Sequence, residues 1–99
     1  MKWAYLLVYN DACGTQEEIK QFVDQMDAIT YWYYCMPHAF FLISTYTAKG
    51  ITDFMRARFA ERKGAYFFVT EIAPDRNGWM PRQVWHMLKD LDNPRLPAK

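Results

Sequence analysis

Residues 30–36 read TYWYYCM and residues 39–46 read AFFLISTY, with Pro37-His38 between them. Both runs are rich in aromatic and β-branched side chains, which suit a pleated surface. A break this short joins two antiparallel strands as a hairpin. Upstream, Thr15-Gln16-Glu17-Glu18 forms a capping box, and Ile19, Phe22, Val23 and Met26 follow on one helical face. Downstream, Thr47 caps a second helix whose buried stripe is Ile51, Phe54, Met55 and Phe59, and Gly64 marks its end. Outermost lie two more apolar runs, WAYLLVY at 3–9 and AYFFVTEIA at 65–73. Each reads as a strand. Asp24 and Glu17 fall on the solvated side of the first helix.

The element order is therefore β-α-β-β-α-β, an α+β, ferredoxin-like pattern with both helices on one face of an antiparallel sheet. Pro74 to Gly78 reads as a loop. Pro81 opens a C-terminal helix with an apolar side of Val84, Trp85, Leu88 and Leu91. The reading is a single domain over 1–92 with a flexible tail over 93–99, where Pro94 and Pro97 fall.

At 99 residues the chain holds one core, and its formal net charge of +1 argues against a strongly basic nucleic-acid wrapper. The charge is uneven, however, and the half after Thr47 is mildly positive. Cys13 and Cys35 match no zinc or redox spacing and read as free thiols of a cytoplasmic protein. The run 3–9 is short for a signal peptide and far too short for a membrane span. Aromatics make up 18% of the chain, more than one small core needs.

Strand alternation divides the first strand into a compact set, Ala4, Leu6 and Val8, and a bulky set, Trp3, Tyr5, Leu7 and Tyr9. The compact set suits the helix side. The bulky set then falls on the open face, together with the tyrosines of the second strand and with Tyr66 and Phe68. A solvated patch of that size is unusual on a monomer, so a cover is expected. The candidates are a second copy of the chain and the segment carrying Trp79 and Trp85. A homodimer interface of Trp3, Tyr5, Tyr9, Tyr66, Phe68, Trp79 and Trp85 follows as an expectation.

Few residues carry chemistry. Asp11 ends the first strand and is a candidate Mg²⁺ ligand and catalytic carboxylate, because magnesium needs only one or two protein carboxylates. A dimer would bring two copies of it together. As a simple turn residue Asp11 needs no such role. His38 and His86 lack a second ligand at metal spacing. His38 could act as a general base, although a histidine in a turn needs no function. Arg58 and Arg62 flank the stripe of the second helix and are candidate phosphate contacts in a nucleic-acid interface. They could equally lay their stems over the sheet edge. The run Lys63-Gly64-Ala65-Tyr66-Phe67-Phe68-Val69 has the basic-Gly-aromatic flavour of RNA-recognition domains. Tyr66 is too bulky for that motif, and the run sits on the last strand rather than the third. No Gly-rich phosphate loop, nucleophile elbow or Cys–His pairing is present, so an enzyme with a deep pocket is not indicated and no resident cofactor is expected.

Tyr9-Asn10, the aromatic strand Tyr31-Trp32-Tyr33-Tyr34, Ser44-Thr45, and Gly78-Trp79-Met80-Pro81 with Trp85 together carry a family likeness. The chain resembles the SinR-like relatives of the small CRISPR spacer-adaptation protein. The resemblance implies a ferredoxin fold, a homodimer, and in some members metal-dependent nuclease activity or nucleic-acid binding. Those chains place an acidic residue where Asn10 stands here. Asp11 lies one position later and, on a continuing strand, points to the opposite face. The expected function is a cytosolic homodimeric interaction or scaffold protein associated with DNA or RNA. The alternatives are a Mg²⁺-dependent nuclease with Asp11 at the dimer axis, and a dimer that binds a small aromatic ligand on its tyrosine-rich sheet face.

Overall fold

A computed structural model describes residues 1–96. The strands are β1 (Trp3–Tyr9), β2 (Ile29–Met36), β3 (Ala39–Ser44) and β4 (Phe67–Glu71). The helices are α1 (Gln16–Asp24), α2 (Ala48–Phe59) and α3 (Arg82–Lys89), and a single 3-10 turn spans Asp11–Cys13. The strands form one antiparallel sheet in the order β2-β3-β1-β4. The α+β architecture is compatible with a ferredoxin-like arrangement.

Local chemistry explains the boundaries. At the start of α1 the Thr15 hydroxyl accepts from the Glu18 amide at 3.1 Å, and Glu18 Oε1 accepts from the Thr15 amide at 3.0 Å. Two of the orphan donors of the first turn are thereby satisfied. Thr47 caps α2 in the same way, accepting from the Gly50 amide at 3.1 Å. Between β2 and β3, Pro37 is followed by His38 at φ 65°, the pattern of a type II turn. After α2 the chain reverses through Gly64 at φ 78°, a left-handed conformation that favours glycine.

Two apolar layers hold the sheet. On the first face Tyr5, Leu7, Tyr9, Phe40 and Leu42 pack under Ile19, Phe22 and Val23 of α1 and Ile51, Met55 and Phe59 of α2. Each fully buried aliphatic side chain there contributes about 1.5–3 kcal/mol. On the second face Ala4, Phe41 and Ile43 pack under Val84, Met87 and Leu88 of α3, flanked by Tyr31, Tyr33 and Trp85. The C-terminal helix is thus part of the core, covering one end of the face that α1 and α2 leave open.

This arrangement corrects the assignment of faces in β1. Trp3, Tyr5 and Tyr9 lie on the side of α1 and α2, with Tyr5 and Tyr9 buried and Trp3 packed against the same cluster. Ala4, Leu6 and Val8 point the other way. Both sets are apolar, so hydropathy does not separate them; packing volume does. The larger rings fill the layer between the sheet and two helices, and Tyr5 extends to its edge, donating to the Tyr46 carbonyl at 2.7 Å. The small side chain of Ala4 lies where α3 packs.

The segment beyond α3 is fastened as far as it is described. Gln83 Nε2 donates to the Pro94 carbonyl at 2.6 Å, and its Oε1 accepts from the Leu96 amide at 3.2 Å. The remainder of the expected flexible tail, 97–99, lies outside the described residues. Among those residues no helix is long and apolar enough to cross a membrane.

Candidate functional site

α3 stops short of the Val8 end of β1, and a strip of the second face stays bare there. Val8 faces Phe68 across the β1–β4 pair. Phe68 is 67% exposed and Tyr66 75% exposed. With Asn10 they line a shallow depression of about 390 Å³. Trp79, in the loop before α3, is fully exposed at 100%. Of the seven side chains expected at a dimer interface, Tyr66, Phe68 and Trp79 are therefore on the surface. Trp85 is half-buried against the α3 cluster, and Trp3, Tyr5 and Tyr9 belong to the opposite layer. The tyrosines of β2 offer little open surface: Tyr31 and Tyr33 lie against α3, while Trp32 and Tyr34 stack at 6.0 Å on the α1 side.

Chemistry-bearing groups gather at the same end of the sheet. The 3-10 turn after β1 brings Asp11 beside the β2–β3 turn, where Asp11 Oδ1 and His38 Nε2 lie 2.5 Å apart. Asp11 is exposed, with 94% of its side chain open, so the pair meets solvent directly. Under the His38 ring sits Tyr9, with ring centroids 5.6 Å apart. The Tyr9 hydroxyl is buried without a completed hydrogen bond. Burial raises its pKa, and the nearby His38 backbone offsets that only in part. The sequence placed Asp11 and His38 in separate turns; only the strand order brings those turns together.

Asn10 has a different task. Its Nδ2 donates to the Gly64 carbonyl at 2.8 Å, and its Oδ1 accepts from the Tyr66 amide at 3.1 Å. This fork pins the approach to β4 against the end of β1. The buried Cys13 thiol donates to the Tyr66 carbonyl at 3.3 Å, and burial raises its pKa. A thiol so placed is a structural group rather than a nucleophile. Cys35 is exposed, and neither cysteine forms a disulfide.

Arg62 and Arg58 lie away from the bare strip. Arg62 Nη1 donates to the Cys13 carbonyl at 2.7 Å, and its other nitrogen reaches Glu18 at 3.4 Å. The Arg58 guanidinium sits 5.6 Å from the centre of the Phe22 ring. Arg62 thus ties the turn after α2 to the turn after β1, and Arg58 stacks on the surface of the first layer.

For a metal, the available donors are the Asp11 carboxylate and the His38 imidazole. Among the described residues no group of three or more His, Cys, Asp or Glu side chains converges. One carboxylate with one imidazole suits a weakly held, largely hydrated divalent cation better than a closed structural site. Comparison of the chain with protein-family models, with curated proteins and with solved structures found no match.

Proposed function

We propose that the chain is a small cytoplasmic interaction protein of ferredoxin-like fold, extended by α3, which works as a homodimer and associates with nucleic acid. The observation that carries this reading is the pair of exposed rings at the Val8 end of the sheet, Tyr66 at 75% and Phe68 at 67%, together with Trp79, exposed at 100% in the loop before α3. Rings left in water beside a well-packed core are surface kept for a partner. The likeness to the spacer-adaptation group supports a second copy as that partner, and the mildly basic second half of the chain supports nucleic acid as a further one.

Sedimentation velocity across micromolar concentrations tests the first part. A dimer is expected, and Phe68→Ser is expected to weaken it; a monomer at every concentration removes the reading. Titration of labelled DNA and RNA at two salt concentrations tests the second part. Binding that weakens with salt is expected, and none at low salt eliminates nucleic acid as a partner.

A second reading, favoured by the Asp11–His38 contact, is a Mg²⁺-dependent nuclease. Asp11 would hold the cation, and His38 would orient the carboxylate or take a proton from water. Mg²⁺-dependent cleavage should then be lost in Asp11→Ala, and equal cleavage by both proteins removes the idea.

A further inference from the structure

β4 is an edge of the sheet, and the parity of its hydrogen bonds shows which backbone groups are left over. The Ile72 amide donates to Ala4 at 2.9 Å, and the Asn10 amide donates to Tyr66 at 3.1 Å. In an antiparallel ladder bonding alternates, so the even-numbered residues of β4 turn their amides and carbonyls to β1. Phe67, Val69 and Glu71 turn theirs outward. Among the described residues no hydrogen bond from these outward groups to another loop or element occurs.

Beside that open edge runs a groove of about 520 Å³ between α2 and β4. Ala57, Ala60 and Phe67 line it, with Arg56, Arg62 and Asp53 also facing it. Asp53 is already paired with Lys49 at 2.7 Å, and Arg62 reaches Glu18. Arg56 makes no ion pair among the described residues. The groove therefore offers one uncommitted cation next to unpaired strand backbone.

We infer that this edge pairs with the same edge of a second copy, strand against strand about a two-fold axis at Val69. The inference rests on the homodimer reading above and specifies its geometry. Full overlap of two five-residue strands in antiparallel register sets Val69 opposite itself and Phe67 opposite the partner's Glu71. Glu71 faces the helix side of the sheet: it stands opposite Tyr5, whose pKa is raised first by burial and then by the Glu71 charge. The partner's Glu71 carboxylate is thus delivered on the α2 side, beside Phe67, where Arg56 waits. The two-fold axis makes the contact twice. On the other face the two Phe68 rings become diagonal neighbours, which joins the bare strips of both copies. A self-complementary edge bearing an acid on one end and a cation groove at the other fits an isologous pair.

Concentration-dependent amide exchange reads the geometry directly. The Phe67, Val69 and Glu71 amides should exchange at least about tenfold more slowly in concentrated than in dilute protein, while those of Phe68 and Thr70 change little. Val69→Pro removes an outward amide without breaking a bond to β1 and should leave a folded monomer. Arg56→Glu and Glu71→Arg should each weaken the dimer about tenfold, and the double swap should restore it. The swap keeps the test decisive if the proline variant fails to fold. A dimer whose outward amides stay unprotected, or one indifferent to both charge changes, overturns the edge pairing and leaves the homodimer standing. A wild-type chain that never dimerises overturns both.

Discussion

Asn10 and Tyr66 exchange hydrogen bonds in both directions: the Asn10 amide donates to the Tyr66 carbonyl at 3.1 Å, and the Tyr66 amide returns a bond to the Asn10 side chain at 3.1 Å. The remaining half of the carboxamide donates to Gly64. Only an amide can donate and accept in this way. In Asn10→Asp an oxygen replaces the nitrogen that faces the Gly64 carbonyl. The substitution should cost about 1–2 kcal/mol, read as a lower urea midpoint with an unchanged slope. An acid at this position would have to give up this fork.

Tyr9→Phe should behave in the opposite sense. It removes a buried hydroxyl that has no completed hydrogen bond and leaves the ring in place. Stability should hold or rise by up to about 1 kcal/mol. A clear loss in the same urea experiment would show that the hydroxyl has a partner in solution.

Met87 is fully buried between α3 and the second face of the sheet. Met87→Ala should destabilise the protein by about 2–5 kcal/mol, with a single unfolding transition. If α3 instead unfolded on its own, far-ultraviolet circular dichroism would show a separate early step, and the helix would not belong to the common core.

Glu18 supplies a pH dependence. Its carboxyl is held below the ordinary value of 4.5, chiefly by the hydrogen bond from the Thr15 backbone and then by Arg62. A depressed folded pKa gives stability that is fully present above 4.5 and is lost as pH falls through the lower folded value. Glu18→Gln retains an acceptor for the Thr15 amide but carries no charge. Melting temperatures of the two proteins should therefore differ most near neutral pH and converge below the folded pKa of Glu18.

Much of the architecture was legible in the residues. The capping box at Thr15, the Thr47 cap and the Pro37-His38 break each carry a local chemical reason that survives in any context, and all three stand where expected. The faces of β1 were not legible. Trp3 to Tyr9 is apolar on both sides, so alternation supplied two sets but no rule for choosing between them. The choice depends on how far each helix layer stands from the sheet, and that is a property of the assembled fold. The meeting of Asp11 with His38 was hidden for a similar reason, since it requires β1 and β3 to be neighbours in antiparallel register. The fork made by Asn10 gave no signal beyond an asparagine in a turn.

β1 carries two unlike obligations along one side. At Ala4 its outward face is sealed beneath α3; at Val8, four residues on, the same face lies open. Natural variation at the sealed end can be tested only through folding, whereas variation at the open end is free to retune stickiness while the seal holds. A lineage could therefore exchange one associate for another by altering a few side chains at the far end of the strand, with the scaffold paying no toll.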